Sequence, residues 1–459
     1  MKHKIFALFL IFTFLLTAGA GCSSSSAPSS GSTVKPITLT YWRTYDDEDA
    51  FDAIITNYQK LHPNITIQYK KFRYDEYEKN LINALAEDRG PDIFSIPDTW
   101  VSEYQNKIAP LPAQLTIATP VVKGTIKKSV VTEMVTSPSL TLKDLKNNFV
   151  DIVYNDAVLN KNGVNQIYGL PLYVDTLAMY YNTDLFNNAG ISQAPQYWND
   201  DFQKDVKKLT KQDSHGNIVQ SGVAMGGSTN VQRPEDILSL LMMQNGAVMM
   251  RNGSVSFQSI PAGSQQSYNP GLEALRFYTD FSNPAKDVYC WNSNMTDSLT
   301  MFEQGNLGIM FDYAYDLPTI KAAAPKLNFS VAAMPQIQGN SNQVNYANYW
   351  LETVSAKSKN IDAAWDFIQF ETSQKQVQNY LKVAQKPTAL RSLINSQVND
   401  MNIGVFASQV LTAQSWYKGN NPLAAESAMQ NMIDATVKDE KDISAIINQG
   451  ADKVQQTIQ

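Results

Sequence analysis

Near its start the chain alternates strand-forming and helix-forming segments, and this pattern restricts the architecture more than any other feature. Residues 37–42 (ITLTYW) are β-branched and aromatic and read as a strand. Phe51, Ile54, Ile55, Tyr58 and Leu61 then recur at helical spacing through residues 50–61. The acidic run at 46–49 precedes that helix, where negative charge suits the positive end of the helix dipole. It lacks the alternating spacing and glycine of a calcium loop. His62-Pro63-Asn64 ends the helix, and residues 65–69 (ITIQY) form the next strand. A second helix over 74–87 places Tyr77, Leu81, Ile82 and Leu85 on one face, Gly90-Pro91 breaks it, and 92–96 (DIFSI) is a third strand. A β-α-β-α-β order implies a parallel sheet covered by helices, so the fold class is α/β.

Similar punctuation continues downstream. Residues 169–181 (GLPLYVDTLAMYY) are an apolar stretch interrupted by one acid, 307–313 and 329–334 read as strands, and 361–370 and 422–434 as helices. Residues 111–165 are rich in Thr, Val and Lys with weak periodicity, and no element is assigned there. No internal repeat is present. A length of 459 residues suggests two or three domains, or two lobes sharing one chain.

The first residues read as an address. Lys2 and Lys4 precede the apolar run 5–16 (IFALFLIFTFLL), which suits a signal peptide and is short for a membrane span of about 20 residues. Small residues lead to Cys22, and the segment resembles a bacterial lipoprotein signal in which that cysteine carries the lipid. Cleavage at Ala18-Gly19-Ala20, or retention as an uncleaved anchor, are the alternatives. Residues 1–21 are thus expected to be a signal peptide, and 22–35 a Ser-rich flexible tether. Removing Lys2 and Lys4 moves the net charge from −6 to −8, so nucleic acid is an unfavourable partner. Cys290 is then left without an intrachain partner. No charge run or coiled-coil pattern argues for an oligomer, and a monomer is expected.

The chemistry open to this chain is narrow. Only His62 and His215 follow the signal, each in a turn where an exposed residue is expected, and there is no GxSxG, HExxH, CxxC, Walker or GxGxxG motif. No metal or cofactor is implied. Glycoside hydrolysis needs only two carboxylates and survives this filter as the enzyme alternative. Binding is better supported. The 22 Tyr and 7 Trp give most aromatics a polar tip, suited to stacking on sugar C–H faces while acids, amides and Arg bracket hydroxyls. Because ligands of parallel sheets sit beyond the carboxyl ends of strands, Trp42 and Arg43, Asp312 with Tyr313 and Tyr315, and Asn348 with Trp350 become candidates. Gly227 and Ser228, in a loop after a short strand, could bring backbone N–H groups to a ligand.

Several motifs in order complete the reading: Leu61 to Ile67 around His62-Pro63-Asn64, Gly90-Pro91-Asp92-Ile93, and Tyr168-Gly169-Leu170-Pro171 with Asp175-Thr176 and Met179 to Phe186. Phe302-Glu303-Gln304-Gly305, Ala363 to Ile368 and Lys386-Pro387-Thr388 follow. From about residue 37 onward the chain resembles the family 1 extracellular solute-binding proteins, maltose-binding-protein-like components of ABC importers. The resemblance implies a two-lobed periplasmic-binding-protein-like fold, each lobe a mainly parallel sheet flanked by helices. Residues 36–173 plus 349–385 would build the N-terminal lobe, and 176–346 plus 388–459 the C-terminal lobe, with ligand in the cleft. It also implies that Asp175 contacts ligand, that Asp98 lies in a cleft loop whose residues differ from those of maltose-binding protein, that Tyr315 stacks on the ligand, and that the closed form delivers a sugar or oligosaccharide to a membrane permease. The same fold could instead bind a polyamine, a peptide or another small solute, and Asp98, Asp175 and Asp312 are the acids a polyamine would need.

Overall fold

The computed structural model describes residues 35–263, 267–340 and 342–458. The expected signal segment, Cys22 and the tether up to residue 34 lie outside them.

The β-α-β-α-β pattern forms its sheet directly. Ile37–Thr44 runs parallel to both Ile65–Phe72 and Ile93–Pro97, while helices Asp49–Leu61 and Tyr74–Ala86 make the crossovers. A strand from far downstream, Trp350–Ser355, enters antiparallel beside Ile93–Pro97 and pairs on its other edge with Ile108–Ala109. The second sheet has the order Lys211–Gln212, Ile218–Val223, Leu307–Asp312, Ala178–Asn182, Phe329–Ala332. Only Ile218–Val223 and Leu307–Asp312 are parallel there, so this sheet is mixed rather than mainly parallel.

The buried side chains divide into two cores, one around each sheet. The chain passes from the first core to the second between Val174 and Leu177, and returns between Tyr346 and Tyr349. At these crossings Asp175–Thr176 and Asn345–Asn348 pair antiparallel, and Ala413–Gln414 adds a third strand. The chain next enters the second core later than the expected boundary at 388, and Val410 and Ala413 touch the first core once more before Trp416. Ala389, Leu390, Leu393 and Ile394 still pack in the first core, Phe149 pairs with Leu390, and Ile403 is the next buried residue of the second. Lys386-Pro387-Thr388 therefore turns beside the crossing strands without changing lobe.

The weakly periodic stretch contains an antiparallel ribbon, Gln114–Lys123 with Ser129–Pro138, then two short helices and a small hairpin. Only its root is buried, through Leu115 and Ile117. His62 is buried rather than exposed: its Nδ1 lies 3.2 Å from the Ala118 carbonyl and its Nε2 3.4 Å from Asp366. The ribbon root covers that turn, which the local sequence could not reveal. His215 lies in an exposed turn with Asp213. Cys290 is buried beside the Val223 carbonyl, and burial pushes its thiol up to about 12. Among the described residues no helix is long and apolar enough to cross a membrane.

Candidate functional site

A cleft lies between the lobes, at the carboxyl ends of Ile37–Thr44, Ile93–Pro97 and Leu307–Asp312. Nine aromatic rings line it, and all are Tyr or Trp.

The first lobe supplies a wall of rings. Tyr45 follows the end of the first strand with φ 66°, a left-handed backbone uncommon for a bulky residue and frequent at functional sites. Its ring stacks on Tyr74 at 5.5 Å, and Trp350 meets it edge-on at 5.8 Å. Trp100, delivered by the turn after Ile93–Pro97, lies 6.4 Å from Trp350. Opposite, Tyr315 stacks on Tyr45 at 6.2 Å and on Tyr313 at 5.7 Å. A column Tyr74–Tyr45–Tyr315–Tyr313 thus crosses between the lobes, with neighbouring planes within 26° of each other.

The second lobe supplies charge. Arg233, also left-handed at φ 46°, precedes Pro234 at the start of helix Pro234–Gln244. Its guanidinium donates to Asp236 at 2.8 Å and reaches Glu235 and Glu426 at 3.4 Å. Asp236 also accepts from the Tyr313 hydroxyl at 2.8 Å, which fixes one end of the ring column. Burial pushes the Glu426 carboxyl up to about 7, against the pull of Arg233. Behind it, Trp416 donates to Ser239 Oγ at 3.0 Å.

At the floor, Asp98 is buried, and its Oδ2 has no hydrogen-bond partner among the described residues. Burial raises this carboxyl, and neighbouring Asp156 raises it further. Asp156 in turn receives Lys418 and the hydroxyls of Ser415 (2.7 Å) and Tyr349 (2.8 Å). A buried carboxyl oxygen without a partner is costly, so Asp98 is suited to hydrogen-bond a hydroxyl or to meet a cation entering the cleft.

Four of the eleven candidate residues line this cleft: Asp98, Tyr315, Asn348 and Trp350. The other seven lie away from its lining, each for a local reason. The first strand extends to Thr44, so Trp42 lies within it and packs on Phe72 at 4.5 Å under Lys70. Arg43 is 1% exposed and pairs with Glu352 and Asp46. Burial alone would raise Asp46, but Lys386 at 2.7 Å and Arg43 override it and hold that carboxyl below its usual value. Asp46 therefore belongs to a buried ion network rather than to the dipole of the following helix.

Asp175 is fully buried in the crossing strand, where it accepts from the backbone N–H groups of Thr176 (2.9 Å), Ala314 (3.1 Å) and Tyr315 (3.2 Å). Its carboxyl satisfies backbone donors and braces the Tyr315 loop, although burial still raises it to about 7. Asp312 accepts from the Tyr313 N–H at the buried end of its strand. The Tyr313 ring is covered by its bond to Asp236 and its stack on Tyr315. Gly227 faces Trp291 and accepts from the Tyr278 hydroxyl, while Ser228 donates to Asp434 at 2.6 Å. Their loop folds back into the second lobe and presents Arg233 instead.

Sequence reasoning missed Tyr45, Tyr74, Tyr173, Arg233, Glu235, Asp236, Trp416, Tyr417 and Glu426. Two signals pointed to some of them: Arg233-Pro234-Glu235-Asp236 is a helix start with Pro in its first turn, and Trp416-Tyr417 is an adjacent aromatic pair.

Two α/β lobes, linked by repeated crossings and closing on one ring-lined cleft, define a solute-binding protein of the periplasmic type. Residues 44–378 match the model of the bacterial extracellular solute-binding protein family, and the chain belongs to that family. The galactooligosaccharide-binding protein of Bacillus subtilis is 21% identical over 397 residues, covering 86% of this chain and 82% of its own. The maltodextrin-binding protein of the same organism is 24% identical, covering 80% and 76%. Among solved structures, a cyclo/maltodextrin-binding protein complexed with maltotetraose superposes with a TM-score of 0.69 at 16% identity, over 93% of this chain and 99% of that one. The maltose-binding protein of Listeria monocytogenes in complex with maltose gives 0.68 at 15% identity, over 92% and 97%. At these identities the structural likeness concerns the fold.

Proposed function

We propose that this protein captures a sugar or oligosaccharide in the interlobe cleft and delivers it to the membrane permease of an ABC importer. One observation carries the reading: nine Tyr and Trp rings surround a few acids, an amide and two cations at the carboxyl ends of the strands. Rings stack on C–H faces, and the charged groups bracket hydroxyls. Relatives named for oligosaccharides and maltodextrin support the sugar class. Closure between lobes would exclude water and strengthen each hydrogen bond, and ligand would favour the closed form by binding it more tightly. Cys22 would carry a lipid that holds the protein at the outer face of the cell membrane. No step here calls for catalysis, metal or cofactor.

A thermal-shift screen tests the ligand class. Malto- and galacto-oligosaccharides are expected to raise the melting temperature with the logarithm of ligand excess. The acids Asp98, Glu235, Asp236 and Glu426 make polyamines the comparison set, and stabilisation by a polyamine with none by any sugar would overturn the reading. Mass spectrometry of the mature protein tests the anchor: an unmodified Cys22, or cleavage after Ala20, would refute lipidation.

A further inference from the structure

The ribbon of Gln114–Lys123 and Ser129–Pro138 ends in a turn that no part of the cleft uses. Opposed residues of an antiparallel pair share a face, so Val122 and Val130 stand together, two positions from Pro120 and Thr132 and four from Ala118 and Met134. Val122, Val130 and Met134 are exposed, and Ile126 at the turn is 99% exposed. Lys127 and Lys128 follow it directly, while Lys123 pairs with Glu133 at 2.5 Å. The tip thus joins a bare apolar residue to a local positive excess, on a chain whose net charge is −6.

The start of the described chain lies beside this ribbon. Lys35, Pro36 and Ile37 line one shallow pocket with Ile117, Ala118 and Met134. The segment from Cys22 to residue 34 can span at most about 45 Å, and the strands of the ribbon run about 34 Å. A chain held at Cys22, as the proposed function has it, would keep the ribbon root within about 45 Å of the membrane, a reach the ribbon can bridge.

We propose that the ribbon tip is a membrane-docking element that seats on anionic lipid headgroups. Ile126, Val122 and Val130 enter the interface, and Lys127 and Lys128 meet the phosphates. The tip is a five-residue turn on two strands, too small for the roughly 1,000 Å² that a specific protein interface needs. A headgroup layer sets no such minimum and rewards this mixture of apolar and basic groups. Docking orients the tethered protein; it does not anchor it.

The test uses the mature chain from Ser23, which carries no lipid. Cys290 is buried, so Thr125→Cys supplies the single reactive thiol for an environment-sensitive fluorophore. Vesicles containing phosphatidylglycerol at millimolar lipid are expected to shift its emission to the blue, saturably and less at high salt. Phosphatidylcholine vesicles should give little shift. The double change Lys127→Ala, Lys128→Ala should weaken partitioning about 25-fold, roughly fivefold for each lysine, and Ile126→Ser about tenfold. The same label at Asn187, exposed on the second lobe, should stay silent. Unchanged melting and ligand binding would show that these variants are folded. No shift on anionic vesicles, an equal shift at Asn187, or lysine variants that partition like the parent would overturn the proposal. So would binding that needs a permease in the vesicle, which would assign the tip to a protein partner.

Discussion

The two walls of the cleft are built from different chemistry. The first lobe presents Tyr45, Tyr74, Trp100 and Trp350, and buries Arg43, Asp46 and Glu352 beneath them, with Lys386 joining that network to the cleft. The second lobe presents Arg233, Glu235, Asp236 and Glu426 at the surface of the cleft, with Tyr315 as its forward ring. The first wall is the richer in rings, with Asp98 and Lys386 among them, and the second is the richer in charges, with Tyr315, Tyr346, Trp416 and Tyr417 beside them. A hydroxyl-rimmed ligand would need both at once, so the proposed closure of the lobes would complete a site that neither holds alone.

The largest effect expected from breaking this division is on stability. Arg43→Leu leaves Glu352 buried without its cation and Asp46 with Lys386 alone, and should cost about 3–5 kcal/mol in urea unfolding, with ligand affinity of the folded fraction little changed. Trp350→Ala removes a ring from the stacking wall. It should weaken ligand binding by about 30- to 100-fold in calorimetry, close to the value of a large buried aromatic. Arg233→Ala strips the opposite wall of its cation. Affinity should fall about tenfold and fall further as pH rises, because Glu426, already raised to about 7, loses the charge that opposes its burial.

A smaller effect concerns pH alone. Asp175 and Glu426 both titrate near 7 in the folded chain, above their ordinary 3.8 and 4.5. Their contribution is fully present below the ordinary values and is lost as pH rises through 7, because the folded state holds protons that the unfolded chain has released. Asp46, lowered, acts in the opposite sense only at acid pH, where its contribution is lost. The melting temperature should therefore be higher near pH 5.5 than near pH 8, and Glu426→Gln should flatten that slope. The smallest change expected is Tyr45→Phe, which keeps the stack on Tyr74 and Tyr315 and should alter affinity within about twofold.

Much of the fold was legible because its signals are local. The strands and helices expected between residues 37 and 96 formed within one or two residues at most ends, as did helix Ile361–Glu371. The site was less legible, and the reason is where the strand ends. The first strand runs two residues past the expected end, to Thr44, which turns Trp42 and Arg43 into interior residues and makes Tyr45 the first cleft residue. Asp175 looked like a ligand contact because an acid in an apolar run must be satisfied. It is satisfied by three backbone N–H groups of its own chain, two of them about 140 residues away in sequence. Arg233 and Glu426 meet only in the folded lobe, and no spacing links them. The ribbon escaped notice because only its root is buried, so most of its length carries no alternation between a core face and a water face.

The central claim is that ligand lies between a stacking wall and a charged wall. Calorimetric titration of one oligosaccharide panel into the parent, Trp350→Ala, Arg233→Ala and the double variant tests it most directly. The account predicts saturable one-to-one binding in the parent, a loss in each single variant, and no measurable binding in the double. Sugar binding that survives both changes, or a parent that binds no sugar while binding another solute, would contradict it.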